Sequence, residues 1–138
     1  MIPTLSPKAF ITGGNATFTL VSKATGTRFT YKVRQPSEKS PHFVSLMNGP
    51  DNENSYAFLG TIFNGATYAH GRKSSIGADA PSAKGFVWLW NNLVTAGTVP
   101  AVAEFHHEGR CCCCGRKLTT PESITAGIGP ECAKKHAL

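Results

Sequence analysis

Residues 16–36 read "ATFTLVSKATGTRFTYKVRQP", and the rest of the architecture builds outward from them. The runs "ATFTLV" and "RFTYKV" alternate with period two and are rich in Thr, Val, Phe and Tyr, the pattern of half-buried strands. In the second run Phe29, Tyr31 and Val33 share one face, while Arg28, Lys32 and Arg34 share the other. "SKATGT" supplies the turn between them, with Gly26 free to take positive φ. The stretch predicts a β-hairpin with an apolar inner face and a basic outer face.

Beyond the hairpin, "HFVSLMN", "SYAFLGTIF" and "ATYAHG" continue the strand pattern, separated by the polar breaks "QPSEKSP" and "GPDNENS". Short strands with tight connections predict an antiparallel sheet, because parallel strands need long crossovers. The period then changes. "DAPSAKGFVWLWNNLVTAG" places Phe86, Leu89, Trp90 and Leu93 at i, i+3, i+4 and i+7, which predicts a helix over 81–95 with an apolar stripe against the sheet. Asp79 or Ala80 precedes Pro81 at the first helical position, and Gly97 ends the helix. "AVAEFHH" predicts one more strand, and residues 1–14 read as a loop or frayed end.

The chain has 138 residues, of which 41% are hydrophobic and 16% charged, enough apolar material for a folded core. Its five cysteines are an odd number, four of them consecutive at 111–114, which argues against a disulfide framework. The start, "MIPTLSPKAFITGG", lacks the charged and apolar regions of a secretory signal, and no apolar run approaches membrane-spanning length. These features predict a reducing, cytoplasmic setting with no membrane association. The 14 Lys and Arg outnumber the 8 Asp and Glu, giving a formal charge of +6, a balance compatible with a polyanionic partner.

Residues 106–116 read "HHEGRCCCCGR". Only one pair among the four cysteines has the C-x-x-C spacing of a metal knuckle, Cys111 and Cys114, and Gly115 permits the sharp turn that follows. Cys112 and Cys113 then read as bystanders at the knuckle tip. Cys132 is the third candidate ligand: Pro130 suits the first turn of a helix, whose dipole would favour a thiolate at Cys132. For the fourth position His107, four residues before Cys111, ranks ahead of His136, four residues after Cys132. His106 should face away from the site, since neighbours on a strand alternate. The set predicts one structural zinc ion in a closed site. Between the ligands, Thr120 can cap a short helix beginning at Pro121, and Gly127 and Gly129 close it.

The stretch from Cys111 to Cys132 is similar to a small zinc-finger family common in bacteriophage and actinobacterial proteins, with the pattern C-x-x-C-G-R-x-L-T-x-P-E-S-I-x-x-G-I-G-P-x-C. Gly115, Arg116, Leu118, Thr119, Pro121, Glu122, Ser123, Ile124, Gly127, Ile128, Gly129 and Pro130 carry that resemblance together with the three cysteines. It spans 22 of the 138 residues, and the four consecutive cysteines depart from the pattern. "PHFVSLMNGPDNENSYAFLGTIF" looks, more loosely, like the partner domain of such phage proteins. The resemblance implies a zinc module and a phage-like setting, in host cytoplasm, without implying an activity.

The expected fold is therefore α+β: residues 1–103 form an antiparallel sheet packed by one main helix, and residues 104–138 a treble-clef-like or zinc-ribbon-like module. The function expected first is nucleic-acid binding through Arg28, Lys32, Arg34, Arg72, Lys73, Arg110, Arg116, Lys117, Lys134 and Lys135. The alternative is a small inhibitor or adaptor of a host protein, such as a nucleic-acid-associated defence complex, with the zinc purely structural. An enzyme, for instance a nuclease using His106, Glu104 or Glu108, ranks last. The sequence offers no phosphate-binding loop, carboxylate cluster or nucleophile–base pair, and no small-molecule substrate is evident.

Overall fold

The structure is a computed structural model describing residues 6–48, 56–119, 121–129 and 132. The hairpin forms as the alternation requires. β1 (Asn15–Ser22) and β2 (Arg28–Arg34) pair antiparallel with Phe18 opposite Tyr31 and Ala16 opposite Val33, so the apolar set falls on one face. Gly26 takes φ 73° in the connecting turn. The chain continues through β3 (His42–Met47), β4 (Tyr56–Phe63) and β5 (Thr67–His70). Each strand pairs antiparallel with the one before, and a bulge lies between Val44 and Ser45 of β3.

The helix that follows, here labelled α2 (Pro81–Ala96), matches the expected span and stripe. Ala80 is its N-cap and Gly97 its C-cap, at φ 73°. Phe86, Leu89, Trp90 and Leu93 are all buried. The Phe86 ring centre lies 5.3 Å from that of Tyr31 and 4.8 Å from that of Tyr68. Two polar tips are satisfied by backbone: Tyr31 donates to the Ser82 carbonyl at 2.7 Å, and Trp90 Nε1 donates to the Ala66 carbonyl at 2.8 Å. Tyr31 and Trp90 thus bury their apolar bodies without an orphaned donor.

After α2 the chain crosses the sheet and enters β6 (Ala103–His107) beside β1, with Phe105 opposite Leu20 and His107 opposite Phe18. The sheet has six strands in the order β5-β4-β3-β2-β1-β6. The boundary expected between residues 103 and 104 therefore falls inside a strand of the sheet.

The N-terminal segment differs from the expected loop. Pro7–Ile11 form a helix, α1, whose first turn is capped by Ser6 Oγ accepting from the Ala9 amide at 3.3 Å. Phe10 and Ile11 are fully buried, and the Phe10 ring meets Phe105 edge-on at 5.7 Å. Five residues are too few to display a helical period, but two of them reach the core. Since Phe10 contacts Phe105 and Phe86 contacts Tyr31, α1 and α2 cover the same face of the sheet. The opposite face carries Arg28, Lys32 and Arg34 of β2. No helix among the described residues is long and apolar enough to cross a membrane.

Candidate metal centre

Past β6 the chain turns at Gly109 (φ 78°) and runs into the four cysteines. A miniature hairpin holds them: Arg110 bridges Lys117, the Cys111 amide donates to the Arg116 carbonyl at 2.9 Å, and the Gly115 amide donates back to the Cys111 carbonyl at 2.9 Å. Gly115 makes the reversal at φ 77°, where a side chain would be strained. The sulfurs of Cys111 and Cys114 come out on one side, and the Sγ atoms of Cys111, Cys114 and Cys132 all lie within 4.8 Å of one another. That separation suits one ion with metal–sulfur bonds of about 2.3 Å, so the three expected cysteines are brought together and can hold a metal ion.

One donor, Cys111, is chemically prepared. Burial pushes the Cys111 thiol up, but backbone amides of Cys114, Gly129 and Cys113 outweigh it and hold the thiol below its ordinary range. The Gly129 and Cys113 amides stand 3.2 and 3.4 Å from its sulfur. Amides aimed at sulfur are what a ligating thiolate requires. Cys132 is shifted the other way, by burial and then by hydrogen bonds with the sulfurs of Cys113, Cys114 and Cys111. This opposes the lowering expected from a helix terminus, and Pro130, which was to open that helix, lies outside the described residues. An ion bound here would replace the protons these sulfurs share.

Cys112 and Cys113 are not idle tips. Cys112 is fully buried, and burial, with Cys111 and Cys113 nearby, pushes its thiol up to about 12. Its amide donates to the Gly127 carbonyl at 3.1 Å and its carbonyl accepts from the Asn15 amide at 2.7 Å. It therefore ties the knuckle to the start of β1. Gly13 is needed for this approach, since a Cβ there would stand 2.7 Å from the Cys112 carbonyl oxygen and 2.8 Å from its sulfur.

His107, ranked first for the fourth position, is not among the residues brought together. Its Nε2 donates to the Ile124 carbonyl at 2.7 Å, and its Nδ1 accepts from the Gly109 amide at 2.9 Å, so both ring nitrogens are engaged with backbone. Ile124 belongs to α3 (Pro121–Ala126). His136, the alternative, lies outside the described residues, as do Lys134, Lys135 and the proposed cap Thr120.

The remaining cations fall in three places. Arg28, Lys32 and Arg34 stand on the outer face of β2. Arg72 and Lys73 lie exposed in the loop after β5, at the far edge of the sheet. Arg110, Arg116 and Lys117 are exposed around the knuckle. Asn15 links the sheet to the knuckle: it pairs with Arg34 in the sheet and sets its side chain against Gly115. On the outer side of β6, Glu104 and His106 stand 3.7 Å apart, and Glu108 accepts from the Thr19 hydroxyl.

Sequence reasoning missed the aromatic residues on that outer face. Phe43 is 38% exposed and Phe58 36%, and Lys32 Nζ lies 5.4 Å from the centre of the Tyr56 ring. The signal was present: in "HFVSLM" the inward positions are His42, Val44 and Leu46, which leaves Phe43 outside.

No curated protein and no solved structure matches the chain. Residues 101–137, which hold β6, the knuckle and all three candidate metal ligands, match a family of unknown function, DUF6011.

Proposed function

We propose that this is a nucleic-acid-binding protein whose C-terminal cysteines hold one structural zinc ion in a treble-clef-like module. The observation that carries the reading is the outer face of the sheet. Arg28, Lys32 and Arg34 line β2 there, and no Asp or Glu occupies an outward position of the described β2, β3 or β4. Through Asn15 this face is joined to the knuckle at Gly115, which Arg116 and Lys117 follow in the chain. Glu104 on β6 and Glu108 against Thr19 also stand on this face, yet the described β2, β3 and β4 add only positive charge to it, and that concentration suits a phosphate backbone. Zinc suits three sulfurs, one of them receiving amide hydrogen bonds, and a site completed by a fourth protein donor is structural rather than catalytic. Its place here is to fasten the knuckle against β1.

The test is a salt titration of binding to a labelled oligonucleotide by fluorescence anisotropy. Affinity should fall with a log–log slope of roughly −0.7 to −0.9 per phosphate contact. Arg28→Ala and Arg116→Ala should each lower the slope by about one contact while zinc stays bound. Absence of binding at ~50 mM salt would refute the reading. A tight complex with a host protein, insensitive to nuclease, would then favour the inhibitor alternative.

A further inference from the structure

We infer that the outer face of the sheet takes single-stranded nucleic acid, with bases stacked on Phe43 and Phe58 and phosphates on Lys32 and Arg34. The inference rests on the nucleic-acid reading and narrows it.

Shape is the first argument. The basic residues sit on β2, an interior strand of a sheet six strands wide, about 24 Å across at the usual strand spacing. The major groove of a DNA duplex is about 12 Å wide and admits a helix or a two-stranded ribbon. β2 cannot enter it with two strands on one side and three on the other. A strand whose bases are unpaired can instead lie down on the sheet.

The aromatic residues are the second argument. Phe43 and Phe58 are among the exposed large apolar side chains, standing away from the core, which lies on the opposite face and holds Phe18, Tyr31 and Phe86. In the ladder Phe43 faces Thr61 while Phe58 faces Ser45, so the two residues stand on the same face of adjacent strands, on either side of the β3 bulge. Phe58 is held along the face because Gly71 has no side chain; a Cβ there would collide with the ring edge. Phe43 shares a shallow depression with Lys32, Arg34, Pro36 and Ser45. A ring to stack on and two cations for the adjoining phosphates thus stand side by side, the combination that single-strand binders use.

Stacking on a π-face tolerates any base, and neither DNA nor RNA is favoured by this chemistry. The experiment therefore compares four labelled probes at ~50 mM salt with the full-length, zinc-loaded protein: a mixed-sequence 12-nucleotide single strand as DNA and as RNA, and the corresponding duplexes. Either single strand should bind at least tenfold more tightly than its duplex, and the tighter of the two identifies the natural source. Phe43→Leu should weaken single-strand binding roughly tenfold, and Phe43→Tyr should restore it, with both variants melting within about two degrees of the wild type. Duplexes bound as tightly as single strands, or an unchanged affinity in Phe43→Leu, would overturn the inference while leaving nucleic-acid binding intact. No binding to any probe would remove the nucleic-acid reading itself.

Discussion

His107 Nε2 donates to the Ile124 carbonyl at 2.7 Å, joining the end of β6 to α3. Because Nδ1 accepts from the Gly109 amide, the ring is held as its neutral Nε2–H tautomer. Burial lowers its tendency to protonate, outweighing the support that the Ile124 carbonyl gives the charged form. The unfolded chain, with a His near its ordinary value of about 6.5, therefore binds more protons than the folded one just below that pH. The contribution is complete above about 6.5 and is lost as pH falls toward the lowered folded value. His107→Gln removes the titration and keeps a donor and an acceptor. Urea unfolding at pH 7.5 and pH 5.5, at saturating zinc, should show the wild type losing more stability than the variant on acidification. Equal losses would mean that the ring protonates freely in the fold.

Trp90 is 1% exposed and stacks parallel to Phe86 with 6.4 Å between ring centres. Trp90→Ala should cost about 3–5 kcal/mol, lowering the melting temperature by on the order of 10 °C or more. Trp90→Phe keeps most of the apolar bulk and drops the hydrogen bond to Ala66, so it should cost less, with about 1 kcal/mol from that bond. A Trp90→Ala melting point within two degrees of wild type would place the indole outside the core.

Gly13 and Cys112 define the seam between the N-terminal segment and the knuckle. Gly13→Ala should destabilise the fold by about 1–3 kcal/mol, because the new Cβ meets backbone as well as sulfur. Since the displaced backbone is that of the knuckle, zinc affinity should fall in the same variant. A variant with full stability and wild-type zinc affinity would show that the seam is loosely packed.

Local patterns carried the strands and α2: the alternation in "RFTYKV" and the stripe from Phe86 to Leu93 each lie within one element. What stayed hidden depends on residues far apart in the chain. Nothing in "PKAFI" announces that Phe10 will meet Phe105, or that β6 will lie beside β1. The knuckle spacing was legible and the three sulfurs do converge, but Cys112 looked idle because its partners, Gly13 and Asn15, are about a hundred residues away. His107 had the right spacing for a ligand. Its ring is taken up by two backbone groups, one of them in α3, whose position relative to β6 no spacing rule supplies.

The metal site gives a prediction residue by residue. Zinc should bind at one equivalent, read by native mass spectrometry. Cys111→Ser, Cys114→Ser and Cys132→Ser should each lose it, since their sulfurs form the converging group. Cys112→Ser should keep zinc but fold less stably by about 1–3 kcal/mol, because a hydroxyl replaces a fully buried thiol. Cys113→Ser should also keep it: although its thiol meets that of Cys132, it is not part of the converging group, and adjacent cysteines do not easily direct both sulfurs at one ion. His107→Gln should keep it too, as both ring nitrogens are engaged elsewhere. His136→Ala is the variant expected to weaken binding without abolishing it, since His136 is the candidate left for the fourth position. Cobalt substitution reads the donor set directly. Three sulfurs and one nitrogen should give a visible spectrum distinct from that of four sulfurs, and the spectrum should change in His136→Ala and stay unchanged in Cys113→Ser. A four-sulfur spectrum lost in Cys113→Ser would move the fourth ligand to Cys113. Zinc lost from Cys112→Ser and Cys113→Ser but retained by Cys114→Ser would overturn the assignment of the knuckle pair.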